Sequence, residues 1–195
     1  MIIGITGPFA SGKSIACEYL NQHGFFEIDV DLIGKEALIE CRDDIVFCFG
    51  PCILDDDKIS SKKLGDIVFE SEEKMEYLNS IVHPFIRKRV ESIIEEKKGE
   101  NIVINAAILF KIGLEKLVDV VIAIVADDDI LVKRGMERNN FSRERILKII
   151  SMQKKYNDYL NNSDYIIIND SSKEDFLKKV NDLMEVIYDN RRNKP

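Results

Sequence analysis

Residues 7–14 read GPFASGKS, between the short β-branched run IIGIT at 2–6 and a helical pattern from Lys13 to about Gln22. Two glycines five positions apart, with lysine and serine directly after the second, match the spacing G-x-x-x-x-G-K-[ST]. Chains with this spacing turn from strand into helix so that backbone N–H groups and the positive helix end converge on phosphate oxygens. The fold therefore begins as strand, glycine turn, helix. In that arrangement Lys13 reaches the β- and γ-phosphates and the Ser14 hydroxyl helps hold Mg²⁺. Gly7, Pro8, Phe9, Ala10, Ser11, Gly12 and Ile15 complete the expected nucleotide-binding set. The spacing does not say which molecule, if any, receives a phosphoryl group.

The rest of the chain alternates in period. FFEIDVD predicts a second strand, Phe25 to Ile28, delivering Asp29 and Asp31 at its carboxyl end. Helical patterns follow at Leu32–Ile39, at Ser61–Phe69 after a turn around GPCILDDD, and from Glu72 to Lys98. Pro84 lies inside the last of these and predicts a kink or two helices there. NIVIN (101–105) and VDVVIAIVA (118–126) are strand-like. A helix from Asp128 to Arg138 with Asp127 as cap is expected, then a break at NNFS and a helix from Arg143 to Lys155. DYIIIND is expected as the final strand, followed by a helix with Ser172 and Asp175 spaced as a capping box and a frayed tail NRRNKP. Such alternation predicts an α/β fold with a mostly parallel central sheet whose ligands bind beyond the carboxyl ends of the strands.

With 195 residues and no Pro/Gly/Ser-rich linker, one domain is expected. A formal charge of −7 leaves no broad basic field for a nucleic-acid backbone, so no nucleic-acid partner is expected, and anionic ligands require locally placed cations. MIIGIT runs straight into the glycine loop without a signal-like segment, and no apolar run approaches a membrane span. A cytoplasmic protein with reduced cysteines is the expectation.

Nucleotide binding leaves kinase, ATPase and switch GTPase open. DLIG (31–34) mimics the D-x-x-G of GTPases, but no N-K-x-D segment accompanies it. Asp29 and Asp31 suit a different division of labour, one binding Mg²⁺ through water and the other accepting the proton of an attacking hydroxyl. Asp31 can alternatively serve as a helix N-cap ahead of Leu32. Arg134 and Arg138, one helical turn apart, can clamp a transferred phosphoryl group or simply form a solvated charged face. His83, before Pro84, is read as structural or as an acid–base group, and Arg87 and Arg89 can serve an anionic substrate.

Taken in order, TGPFASGKS, DVDLIG, LNSIVHPFIR, ILFKIGLEKLVD, KRGMERNNFSRE, Gln153 and SDYIIIND resemble the dephospho-coenzyme A kinase family over most of the chain. The resemblance implies a three-layer α/β/α P-loop kinase fold, with a nucleotide-binding core at 1–30 and 100–195. It further implies a helical acceptor-binding region at 31–99 and a lid within 134–155. The implied reaction is ATP-dependent phosphorylation of the ribose 3′-hydroxyl of dephospho-coenzyme A. On that basis Asp31 is similar to the family's base, Asp29 to its companion near the metal, and Thr6 to a phosphate-side hydroxyl. Arg138 and Arg134 resemble lid residues, and His83, Arg87 and Phe110 resemble acceptor contacts. Four positions depart from the pattern: Pro8 for glycine, Ala107 for proline, Lys111 for glutamate and Tyr159 for a basic residue. Another small-molecule kinase, of the nucleoside monophosphate or shikimate type, is the alternative, as is a non-catalytic nucleotide-binding regulator. No feature of the sequence speaks to oligomeric state.

Overall fold

The computed structural model describes residues 1–139, 141–156 and 159–192. In chain order it forms β1 (Ile2–Thr6), α1 (Lys13–Gln22), β2 (Phe25–Asp29), α2 (Val30–Glu40), α3 (Arg42–Phe49), β3 (Leu54–Asp55), β4 (Lys58–Ile59), α4 (Ser61–Val68) and α5 (Glu72–Glu96). The second half adds β5 (Asn101–Asn105), α6 (Leu109–Ile112), β6 (Val120–Val125), α7 (Asp128–Asn139), α8 (Arg143–Tyr156), α9 (Tyr159–Asn162), β7 (Tyr165–Ile168) and α10 (Lys173–Arg192). Contacts divide the chain into two compact units, Met1–Ile28 with Gly99–Pro195, and Asp29–Lys98.

The first unit is built on a five-stranded sheet in the order β2-β5-β1-β6-β7. β1 runs parallel to β5, with Ile3 abreast of Val103, and to β6, with Ile5 abreast of Ile122. β6 in turn runs parallel to β7, with Ile124 abreast of Ile167. The β-branched strands β1, β5 and β6 are buried because helices cover them, as a parallel sheet requires, whereas β7 at the edge leaves Ile166 and Ile168 exposed. Ile3, Ile5, Val103, Ile122, Ile124 and Ile167 interdigitate with Ala16, Cys17 and Leu20 of α1 and with Phe176, Val180, Met184 and Ile187 of α10. The α10 residues recur at three- and four-residue intervals, so they form one apolar stripe. A smaller cluster of Leu131, Val132, Ile146 and Ile150 joins α7 to α8.

The second unit packs α2, α3 and α4 around α5. Here the structure corrects three expectations. α2 starts at Val30, because Asp29, in extended conformation, accepts hydrogen bonds from the amides of Asp31 (2.9 Å) and Leu32 (3.3 Å). Asp29 is therefore the N-cap, and Asp31 sits in the first turn. α5 continues through Pro84 as one helix rather than two. Proline there removes one backbone donor; burial of Val82, Ile86 and Val90 on both sides of it holds the helix together. The stretch before Gly50, given no element from the sequence, is α3, and LDDDKI closes the β3–β4 hairpin with Asp56 and Asp57 at φ 45° and 65°.

In the first unit, Asp127 caps α7 as expected, its Oδ1 accepting from the Asp129 amide at 3.0 Å. Ser172 Oγ accepts from the Asp175 amide at 3.2 Å at the start of α10. That helix runs on through Arg192, so the first part of the expected tail is helical, and Arg191 pairs with Asp119 at 2.8 Å. Asn193, Lys194 and Pro195, like Asn140 of the NNFS break, lie outside the described residues. No described helix is long and apolar enough to cross a membrane.

Candidate active site

The loop between β1 and α1 depends on glycine at two points. Gly7 has φ 134°, and a Cβ there would lie 2.0 Å from the carbonyl oxygen of Ile124 in β6. Gly12 has φ 106°, and a Cβ there would lie 2.4 Å from Asn169 Nδ2. Between them Ala10 takes a left-handed φ of 62°. Pro8 contributes no donor, but its carbonyl accepts from the Ser11 amide at 3.3 Å and from Lys13 Nζ at 2.9 Å. Lys13 Nζ also donates to the Gly7 carbonyl at 3.1 Å, so the ammonium is held against the loop. Gly12 supplies α1 with no side-chain cap. A helix start of that kind turns N–H groups and the positive end of the helix dipole toward a bound anion.

Residues Ala10 to Ile15 line a cavity of about 450 Å³ together with Arg134 and Arg138 of α7 and Asn169 and Lys173 beyond β7. Among the described residues that line it, Lys13, Arg134, Arg138 and Lys173 face it against one carboxylate, that of Glu137. An acidic chain thus gathers cations at one place, as an anionic ligand demands. Asn169, 3% exposed, organises this wall. Its Nδ2 donates to the Ser11 carbonyl at 2.8 Å, while its backbone carbonyl accepts from Arg134 Nη1 at 3.0 Å. The space left by the absent Cβ of Gly12 is where the Asn169 amide sits.

A glycine loop, a lysine, a serine and two arginines around one cavity are the parts of a phosphoryl-transfer site. A protein-family model described as dephospho-CoA kinase matches residues 1–175. The chain belongs to the dephospho-CoA kinase family. The dephospho-CoA kinase of Fusobacterium nucleatum subsp. nucleatum is 37% identical over 190 residues, covering 96% of this chain and 98% of the relative. A solved dephospho-CoA kinase from Campylobacter jejuni superposes with a TM-score of 0.71 at 28% identity, covering 97% of this chain and 98% of that one. A crystal structure of a Thermus thermophilus protein has the same fold, with a TM-score of 0.81 at 23% identity over 95% of this chain and 96% of the other.

The other family positions fall in different surroundings. Thr6 is fully buried at the end of β1, and its hydroxyl donates to the Ala107 carbonyl at 3.4 Å. Phe110 is half-buried in α6. Asp29, Asp31, His83 and Arg87 all belong to the second unit. There His83 and Arg87 stand one turn apart on α5, and Arg87 Nε donates to Glu91 Oε1 at 2.9 Å. Tyr159, where the family pattern has a basic residue, is 3% exposed. Burial, reinforced by the nearby Asp128 carboxylate, pushes its hydroxyl pKa up, so the phenol stays neutral. Lys154 Nζ lies 2.7 Å from both oxygens of that Asp128 carboxylate.

In the sequence Asn169 stands out only as part of the closing run SDYIIIND, and no local pattern marks Lys173. A buried asparagine at the carboxyl end of a strand was the available signal, since such a group is kept only where it is hydrogen-bonded. Asn169→Ala leaves the Ser11 carbonyl without this donor, and the expected loss is about 1–3 kcal/mol of unfolding free energy. Urea unfolding of the variant measures it.

Proposed function

We propose that the chain transfers the γ-phosphoryl group of ATP to the ribose 3′-hydroxyl of dephospho-coenzyme A, releasing coenzyme A and ADP. The observation that carries this reading is the family match across residues 1–175 on a chain that keeps the glycine loop, Lys13, Ser14 and the arginine-lined cavity. In the step, the acceptor oxygen bonds to the γ-phosphorus as the bond to the β–γ bridging oxygen breaks. The hydroxyl proton passes to the Asp31 carboxylate, and the displaced oxygen leaves on ADP.

Lys13 and Arg138 neutralise charge on the transferred group, and Arg134 flanks the nucleotide. Catalysis of this kind rests on positioning and electrostatics more than on covalent chemistry. Among the described residues no three His, Cys, Asp or Glu side chains converge as a metal cage. That fits an ion held mainly by phosphates and water, as Mg²⁺ usually is. Ser14 Oγ and the Asp29 carboxylate would hold it, and when bound it supplies countercharge to the phosphates. The helical region at 31–99, with His83 and Arg87, takes the acceptor, Phe110 is a further acceptor contact, the lid lies within 134–155, and the enzyme works in the cytoplasm.

Shikimate-type kinases carry a glycine-rich acceptor motif near the third strand, and NIVINAAILF contains no glycine. A purely regulatory nucleotide binder has no need of a base beside a metal-binding carboxylate. ADP release from ATP and Mg²⁺ is expected with dephospho-coenzyme A and not with shikimate or nucleoside monophosphates. Turnover with one of the latter, or with none of the three, would remove this assignment.

A further inference from the structure

α8 carries an apolar stripe toward α7 through Ile146 and Ile150, both buried. Continued by one more three-residue step, the stripe reaches Gln153, where the helical period calls for another apolar side chain. Gln153 is instead half-buried, and its Oε1 accepts a hydrogen bond from the Phe9 amide at 2.7 Å, across 144 residues of sequence. Phe9 lies in the glycine loop, directly after Pro8, which has no amide to offer.

The Phe9 side chain is anchored to the same two helices. It packs on the Leu131, Val132, Ile146 and Ile150 cluster and stacks on Phe141 with ring centroids 6.2 Å apart. Gly135 of α7 makes room for it, since a Cβ there would lie 2.8 Å from Phe9 Cε1 and 2.9 Å from Ile146 Cδ1. Backbone and ring of one loop residue are thus both gripped by the α7–α8 pair. α7 is also the helix that carries Arg134 and Arg138 to the cavity.

We propose that Gln153 is a positioning residue: by holding the Phe9 amide it sets the curvature of the phosphate loop and fixes that loop relative to the arginines of α7. The Phe9 amide then serves the protein scaffold rather than a phosphate oxygen, and the nucleotide is met by the amides that follow. This rests on the nucleotide-binding half of the proposed function and not on the identity of the acceptor.

Two variants of the full chain separate the roles. Gln153→Met keeps length and shape but removes the acceptor, whereas Gln153→Glu keeps an acceptor at the same reach. Amide hydrogen exchange is read by NMR without nucleotide, at Phe9 and, as reference, at core amides such as Val103. Binding of a non-hydrolysable ATP analogue with Mg²⁺ is measured by calorimetry, with no acceptor present. Gln153→Met is expected to speed Phe9 exchange relative to the core amides and to weaken analogue binding by between about 2-fold and 10-fold, the range for one hydrogen bond. Gln153→Glu is expected to keep Phe9 exchange at its wild-type ratio to the core. Wild-type exchange or wild-type affinity in Gln153→Met, or equally fast Phe9 exchange in Gln153→Glu, overturns the proposal. Absence of turnover with dephospho-coenzyme A would bear on the acceptor alone and leave these readouts intact.

Discussion

Asp31→Asn is expected to lower kcat with dephospho-coenzyme A by about 10²- to 10⁴-fold, the usual contribution of a positioned general base. The dissociation constant for ATP should stay near its wild-type value, because the base role proposed for Asp31 concerns the nucleophile rather than the donor. The substitution is nearly isosteric, and α2 does not depend on it for its start. The cap is Asp29, whose Oδ1 takes the backbone amides of residues 31 and 32, and a change of side chain at 31 leaves both amides in place. Native unfolding behaviour with collapsed kcat is therefore the expected signature. Asp29→Ala gives the contrast: it removes a helix cap worth about 1 kcal/mol as well as the carboxylate assigned to the metal. Steady-state kinetics, calorimetric titration with ATP and thermal unfolding distinguish the two. Undiminished kcat in Asp31→Asn would take the base role away from that residue.

What could be read from the sequence, and what could not, follows from the range of the interactions involved. β1, α1 and β5 were legible nearly to the residue, since a β-branched run, a glycine loop and NIVIN act through local period and turn chemistry. Asp127 was legible as a cap for the same reason, because its bond spans two residues. α3 was missed: its sequence RDDIVFCF contributes one buried residue, Ile45, and so shows no apolar stripe. Of the two outcomes that Pro84 allowed, a kink or two helices, the second does not occur, since packing of Val82, Ile86 and Val90 on both sides of it keeps α5 one helix.

At the site, the loop residues Ala10 to Ile15 and the arginine pair at 134 and 138 were anticipated and line one cavity. Asn169 and Gln153 act on the loop through bonds spanning 158 and 144 residues, which no local pattern encodes. Each nonetheless left a trace in the sequence as a polar residue at the end of an apolar stretch: an asparagine closing β7, a glutamine continuing the Ile146–Ile150 stripe.

Gly7→Ala is expected to be the most destabilising single change in the loop, costing upward of about 4 kcal/mol and abolishing nucleotide binding. Two penalties coincide there. A φ of 134° is a conformation that L side chains rarely adopt, and the new Cβ would stand 2.0 Å from the Ile124 carbonyl oxygen. That oxygen belongs to β6, which is paired to β1 on one side and to β7 on the other, so it cannot retreat without disturbing three strands. Gly12→Ala meets a different obstacle, the side-chain amide of Asn169, with a φ of 106°. A side chain can be trimmed where a strand cannot. In Gly12→Ala, adding Asn169→Ala should therefore restore part of the lost stability, although Asn169→Ala alone is destabilising. No side-chain truncation should restore Gly7→Ala, since its obstacle is a backbone atom. Urea unfolding of the four variants tests this directly, and strict additivity at Gly12 and Asn169 would mean that the amide does not occupy the space left by the missing Cβ.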